Sequence, residues 1–183
     1  MTKIVNVFML LLIASIINKG FTGCETQNLK IDNSSVRELD INKYLGNWFE
    51  IARYDNRFER GLVGVKANYL LRDDGKISVI NTAYKDSLNG EYSQAIGKAK
   101  IPDPENEPGK LKVSFFLFFY GDYYVMELDK DYQWAVVGSS SDKYLWILSR
   151  KAHMEEELYQ NLLSRLQKRN YDISKLIRIE QYE

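Results

Sequence analysis

Hydrophobic and polar residues alternate along most of the chain between residues 47 and 150, in short segments separated by turns. The clearest segment covers residues 65–71, where Val65, Ala67, Tyr69 and Leu71 alternate with mostly polar neighbours. This period of two predicts strands with one buried face. Gly-containing turns and a proline-containing loop at residues 101–109 separate the segments. The predicted strands cover residues 48–54, 65–71, 77–84, 91–100, 111–119, 123–128, 132–138 and 144–150.

Eight consecutive strands joined by hairpin turns predict an all-β, up-and-down antiparallel sheet. An open sheet of this kind has two exposed edges, and closing it into a barrel removes both. An eight-stranded barrel is wide enough for side chains alone or for one small ligand.

The period changes after the last predicted strand. Between residues 154 and 170 apolar side chains including Leu158, Leu162 and Leu166 share one helical face. We therefore expect an amphipathic helix that packs on the outside of the barrel. Residues 173–179 alternate weakly and predict one more short strand.

The N-terminal residues read as a targeting segment. Residues 4–17 form an apolar run too short to span a membrane comfortably. Residues 21–24 end in Cys24, and this pattern resembles a bacterial lipoprotein signal, in which the cysteine is lipidated. The alternative is an ordinary secretory signal with an incidental cysteine. We predict a signal peptide at residues 1–23, a tether at 24–40 and the folded domain at 41–183.

Composition narrows the picture further. Cys24 is the only cysteine, so no intrachain disulfide can form. Removing residues 1–23 lowers the net charge from zero to about −2, and no basic run suggests nucleic-acid binding. Glu25 follows the cysteine, which under proteobacterial sorting rules permits passage to the outer membrane. We expect a lipid-anchored protein of the cell outer membrane that faces the periplasm.

Three distant features meet at one end of the predicted barrel. If the turns alternate between two ends, Trp48, Asp131 and Arg150 all arrive at the same end. The first and last strands are neighbours in a closed barrel, so Arg150 can lie across the Trp48 indole as a cation–π pair that closes this end. Its other donors can reach carbonyls of residues 41–45.

These residues carry a resemblance to a known family. Gly46 and Trp48, followed by Phe49-Glu50-Ile51-Ala52-Arg53, together with Asp131-Tyr132 and Arg150, resemble the three signature regions of the lipocalins. Residues 58–61, 111–116 and 144–150 are similar to the bacterial outer-membrane members. The resemblance covers about residues 40–181 and implies a carrier of fatty acids or lysophospholipids. We interpret Gly46, Trp48, Asp131, Tyr132 and Arg150 as structural rather than ligand-binding.

A ligand would then occupy the cup at the open end. The inward phase of the sixth strand is open, with either Tyr124 and Met126 or Tyr123 and Val125 facing the cup. The candidate lining residues are Ala67, Tyr69, Phe115, Leu117, Tyr124, Met126, Tyr144 and Trp146. The candidate cations for a polar head group at the rim are Arg57, Arg60, Lys85 and Lys143. A filled core and ordinary solvated surface charges are the competing interpretations.

Phe116, Phe118 and Phe119 do not fit the inward phase. An exposed aromatic cluster of this kind indicates a membrane contact or a homodimer, unless the helix or a loop covers it.

The sequence contains few residues or motifs that would indicate an enzyme. His153 is the only histidine, and no nucleophile motif, phosphate-binding loop or metal-spaced cluster is present. We therefore expect neither an enzyme nor a cofactor or metal. The alternatives to a lipid carrier are a structural or interaction protein of the envelope with a filled barrel and, more remotely, an enzyme acting on a lipophilic substrate.

Overall fold

Eight antiparallel strands wrap into a closed barrel in the computed structural model, which describes residues 30–182. Each strand pairs with the next in sequence. The strands are β1 Gly46–Tyr54, β2 Leu62–Leu71, β3 Ile77–Lys85, β4 Tyr92–Lys100, β5 Lys110–Phe116, β6 Phe119–Leu128, β7 Trp134–Gly138 and β8 Leu145–Ser149. The helices are α1 Ile41–Tyr44 and α2 Glu156–Lys168, and a short strand β9 covers Leu176–Arg178.

The first strand closes the barrel. It pairs antiparallel with β2, where Trp48 lies opposite Ala67, and with β8, where Glu50 lies opposite Leu148. The predicted up-and-down barrel is therefore confirmed. We call the end with Trp48 the closed end and the opposite end the open end.

Alternation along the strands separates an inner core from an outer core. Inward-facing residues such as Trp48 and Val79 pack inside the barrel. Outward-facing Ile51 and Ile147 pack against Leu162 and Leu166 of α2. The helix thus covers one outer face of the barrel, as its apolar stripe predicts.

The C-terminal segment completes the wall where β1 and β2 separate. The Ile179 amide donates to the Ile51 carbonyl at 2.9 Å, and the Gly64 amide donates to the Glu180 carbonyl at 2.7 Å. The Gln181 side-chain amide donates to the carbonyls of Glu50 and Val65 at 2.8 and 3.0 Å. The weakly predicted last strand is therefore part of the barrel seam, preceded by one turn of 3₁₀ helix at Ile173–Lys175.

The described part of the predicted tether is not a free linker. The Asp32 amide donates to the Arg169 carbonyl, and the Val36 amide donates to the Val125 carbonyl at 2.8 Å. Ile31 and Val36 contact the outer and inner cores respectively. Residues 30–40 therefore belong to the folded domain. The predicted signal peptide, Cys24 and the rest of the tether lie outside the described residues.

The turn between β5 and β6 differs from the prediction. The predicted strands 111–119 and 123–128 leave residues 120–122 for the turn, but Gly121 and Asp122 lie within β6 opposite Val113 and Lys112. The reversal occurs at residues 117 and 118, with Leu117 at a positive φ of 48°. The Lys112–Asp122 ion pair at 2.5 Å and the stacked rings of the strand-end phenylalanines hold this longer hairpin.

Candidate ligand-binding site

The closed end is sealed by a buried indole under a guanidinium. The Arg150 Cζ atom lies 3.9 Å from the centre of the Trp48 ring, and Trp48 is fully buried. The Trp48 Nε1 atom donates to the Tyr44 carbonyl at 2.8 Å. Arg150 donates to the carbonyls of Lys43 and Asn47 at 2.6 and 2.8 Å, so it ties α1 to the barrel.

The other signature residues shape this closure. Gly46 has a φ of +92°, and a Cβ there would approach the Arg150 guanidinium at 3.5 Å. Asp131 is exposed in the turn before β7. Tyr132 has a positive φ of 58°, and its hydroxyl accepts from the Asp40 amide at 2.8 Å. These residues all lie at the closed end of the barrel.

Three tyrosines form a floor above the closure. The hydroxyl of Tyr123 lies 2.7 Å from that of Tyr44 and 2.9 Å from that of Tyr69. Burial raises the pKa of each of the three phenols, so they remain neutral and hydrogen-bond one another. We call Tyr44, Tyr69 and Tyr123 the tyrosine floor.

The interior between the tyrosine floor and the open end, which we call the cup, contains inward positions that keep solvent exposure. Ala67, Asn81 and Trp146 occupy inward positions of β2, β3 and β8, yet each keeps partial exposure. On β4, beyond its pairing with β5, the inward residues Ser93 and Ala95 are exposed. The partial exposure of Ala67, Asn81 and Trp146, on strands paired on both sides, indicates that solvent reaches the interior.

Five polar and aromatic residues line the upper cup: Glu50, Arg53, Asn56, Glu59 and Trp146, which we call the polar cluster. Arg53 Nη1 donates to Glu50 Oε1 at 2.7 Å, and its Nη2 donates to the Glu59 carbonyl at 2.5 Å. Glu59 Oε2 accepts from Trp146 Nε1 at 3.0 Å and from Asn56 Nδ2 at 2.5 Å. These bonds join the β1–β2 loop to the inner face of β8.

Burial and the neighbouring Glu59 raise the pKa of Glu50 well above its ordinary range, although Arg53 opposes this shift. The cluster sets two carboxyl groups against one guanidinium and therefore offers no surplus positive charge to a ligand. Arg53 Nε and Asn81 Oδ1 are buried without hydrogen-bond partners among the described residues.

A bulge in β1 explains why the sequence did not predict the polar cluster. Glu50 and Arg53 are three residues apart, so in a regular strand their side chains face opposite sides. The pairing with β8 shifts between Glu50 and Ala52, which turns Ala52 outward and Arg53 back inward, opposite Trp146. Nothing in the alternation of residues 48–54 signals this bulge.

The predicted lining residues lie in different parts of the structure, and only some of them face the cup. Ala67 and Trp146 face the cup, Tyr69 forms part of its floor, and Tyr144 stacks on the Trp146 ring with centroids 5.8 Å apart. Phe115 lies against Gly97, where an added Cβ would meet its ring at 2.7 Å.

Three predicted lining residues lie outside the cup. Leu117 is at the exposed turn of the β5–β6 hairpin, because β5 ends one residue earlier. Tyr124 and Met126 face outward, with Met126 buried in the outer core beside Tyr171. The sixth strand therefore presents Tyr123 and Val125 inward, which is the second of the two alternatives, and the candidates Tyr124 and Met126 do not line the cup.

The predicted rim cations all lie at the open end, on the connecting loops or at the end of β3, and all are exposed. Arg60 is paired with Asp55 at 2.9 Å, and Arg57 lies over the Phe58 ring at 4.6 Å. Lys85 and Lys143 complete the set.

Within residues 30–182 no group of three or more His, Cys, Asp or Glu side chains is placed to hold a metal ion. In that same part of the chain, no helix combines the length and the hydropathy that a membrane crossing requires.

Comparison with known proteins agrees with this architecture. The family model described as a lipocalin-like domain matches residues 39–181. The chain is 44% identical over 146 residues to outer membrane lipoprotein Blc of Escherichia coli K12, covering 80% of this chain and 81% of the relative. It is 34% identical over 180 residues to apolipoprotein D of Macaca fascicularis, covering 92% and 93%. Insecticyanin of the tobacco hornworm has the same fold, with a TM-score of 0.68 at 24% identity, covering 83% and 86%.

Proposed function

The chain belongs to the lipocalin-like family, and from that membership we propose that it binds a fatty acid or a lysophospholipid in the cup and stores or transports it in the cell envelope. Members of the family are in general binding and transport proteins for hydrophobic ligands. The observation that carries the proposal is the open interior, where the inward residues Ala67, Ala95 and Trp146 stay solvent-accessible above a tightly packed floor. A barrel with a filled interior would bury them.

A hydrocarbon chain suits this space. Burial of each methylene contributes about 0.8 kcal/mol, so ten methylenes contribute about 8 kcal/mol before the cost of association. Ala67, Val113 and the Trp146 ring offer the apolar contacts, and the tyrosine floor limits the depth that the chain can reach.

The charges favour an orientation with the head group outward. The polar cluster carries no surplus positive charge, so a carboxylate or phosphate gains little from lying deep in the cup. Arg57, Lys85 and Lys143 at the rim supply cations that can pair with it in solvent. We therefore place the acyl chain below and the anionic head at the mouth.

The location of the protein is part of the proposal. Lipidation of Cys24 after removal of residues 1–23 would anchor the domain, in keeping with the relatives named outer membrane lipoproteins. We propose the outer membrane, with the domain in the periplasm, and a carrier role without catalysis.

Two neighbouring residues of β3 give a matched test. Asn81 faces the cup opposite Ala67, whereas Thr82 faces outward. In the protein without its leader, a fluorescent fatty acid is bound and then displaced with palmitic acid or with a lysophospholipid. Asn81→Trp should weaken binding by more than about tenfold by filling the cup, and Thr82→Trp should leave it unchanged.

Saturable, displaceable binding that Asn81→Trp abolishes supports the carrier. If the wild-type protein binds no probe, or if both tryptophan variants bind equally well, the cup does not hold the ligand and the interpretation as a filled structural barrel gains support.

A further inference from the structure

The turn between β5 and β6 is the most exposed apolar part of the described chain. Phe116, Leu117, Phe118 and Phe119 are 68%, 62%, 85% and 76% exposed. We call these four residues the hairpin tip. Soluble surfaces rarely carry four consecutive exposed large apolar side chains unless something binds them.

Neither α2 nor the C-terminal segment covers the hairpin tip. The helix packs on the outer side formed by Ile51, Val136 and Ile147. The C-terminal segment lies at the seam between β1 and β2. Both elements already have their partners elsewhere on the barrel.

Two lysines stand directly behind the hairpin tip on the outer face of β4. Lys98 Nζ lies 5.8 Å from the Phe118 ring centre, and Lys100 Nζ lies 5.1 Å from that of Tyr120. Neither lysine takes part in a salt bridge among residues 30–182. This arrangement matches the two layers of a bilayer interface: the aromatic rings suit the acyl-chain region, and the lysines suit the phosphate region outside it.

The wall of the barrel is also incomplete beside the hairpin tip. Strand β4 pairs with β5 only over Lys98–Lys100, although β4 extends up to Tyr92. Ile96, in the part without β5 pairing, is 64% exposed. The apolar tip thus lies next to both the mouth of the cup and a gap in its side wall.

The position of the N-terminus brings this end near a membrane, and this step rests on the lipidation of Cys24 proposed above. Asn33 Nδ2 donates to the carbonyl of Ser139, which follows β7 at the open end. The Lys30 carbonyl accepts from Asn170 at 3.0 Å. Residues 24–29 can span at most about 20 Å, so an acyl chain on Cys24 holds the open end close to the bilayer.

We propose that the hairpin tip, with Lys98 and Lys100 behind it, is a docking surface for an anionic phospholipid bilayer. The aromatic rings enter the interface, the two ammonium groups contact lipid phosphates, and the mouth of the cup meets the membrane surface. A ligand can then pass between the bilayer and the cup without crossing open water.

The test uses the mature chain carrying Cys24→Ala, so that an acyl anchor does not mask the contact. Co-flotation is measured with vesicles of phosphatidylcholine alone and with about 30% phosphatidylglycerol. The paired substitution Phe118→Ser with Phe119→Ser should reduce binding at least about tenfold. Leu71→Ser is the matched control, because Leu71 is 54% exposed at the closed end.

A second pair of variants tests the charges. Lys98→Gln with Lys100→Gln should remove most of the preference for phosphatidylglycerol, whereas Lys130→Gln at the closed end should not. This pair also keeps the proposal testable if the serine variants fail to fold, which circular dichroism would reveal.

Three results would overturn the proposal: no flotation of the parent protein with anionic vesicles, flotation unaffected by the tip substitutions, or equal loss with Leu71→Ser. A concentration-dependent dimer that the tip substitutions dissolve, without vesicle binding, would assign the surface to a second copy of the chain instead. Displacement of a fluorescent fatty acid in solution should survive the tip substitutions, so failure of ligand binding and failure of docking remain distinguishable.

Discussion

Replacement of Arg150 by methionine should destabilise the barrel without affecting its ligand site. The methionine side chain retains apolar contact with the Trp48 ring but removes the charge and every donor. It removes the cation over Trp48 and the hydrogen bonds to the carbonyls of Lys43, Tyr44, Asn47 and Tyr132.

The expected loss in the free energy of unfolding depends on which of these contacts water can replace in the variant. The bonds to Lys43 and Asn47 are exposed, so solvent substitutes for much of their loss. The longer bonds to the half-buried carbonyls of Tyr44 and Tyr132 contribute about 1 kcal/mol each. The cation–π contact adds about 1 kcal/mol, for a total near 3 kcal/mol.

Thermal unfolding of the mature protein is the assay. A domain of this size loses about 2–4 °C in Tm per kcal/mol, so Arg150→Met should lower the Tm by about 6–12 °C. Arg60→Met is the control, because among the described residues that exposed arginine pairs with Asp55 alone, and its loss should change stability by less than about 0.5 kcal/mol. Fatty-acid binding below the Tm should be unchanged, since Arg150 lies beneath the tyrosine floor.

Either of two outcomes would contradict the prediction for Arg150→Met. A loss below about 1 kcal/mol would show that the closure contributes little to stability. Loss of ligand binding at temperatures where the variant is fully folded would show that the closed end belongs to the site.

Three further predictions test the interior and the wall. Because the pKa of Glu50 is raised in the folded state, the wild-type protein loses stability as the pH rises above the ordinary glutamate range toward that raised pKa. Glu50→Gln should remove this slope when urea unfolding is measured as a function of pH. Gly97→Ala should lower the free energy of unfolding by about 1–3 kcal/mol, because the added Cβ would meet the Phe115 ring and the Ser114 carbonyl. A variant as stable as the wild-type protein would contradict that contact. Met126→Ala should lower the free energy of unfolding by about 2–5 kcal/mol, because it opens a cavity under α2, and should leave fatty-acid affinity unchanged. Weakened fatty-acid affinity would show instead that Met126 lines the cup.

Features that depend on strand order and local period could be predicted from the sequence. The turns alternate between two ends, so Trp48 and Arg150 could be placed together although a hundred residues separate them. The outer helix followed from the spacing of Leu158, Leu162 and Leu166 alone.

Features that depend on local backbone geometry or on tertiary packing could not be predicted from the sequence. The bulge after Glu50 reverses the facing of Arg53, and no residue type marks it. The turn at Leu117 uses a positive φ without glycine, so Gly121 looked like the better turn residue. Tyr124 and Met126 are as apolar as Tyr123 and Val125, and only the position of α2 decides which pair faces outward.

A crystal structure of the mature protein with a long-chain fatty acid or lysophospholipid would show directly whether the cup holds one acyl chain with its head group outward. We expect continuous density for the chain between Ala67, Val113 and Trp146, ending above the hydroxyls of the tyrosine floor, with the head group at the rim. Side chains that close the space above Tyr69 and Tyr123, or a ligand bound only outside the barrel, would contradict it.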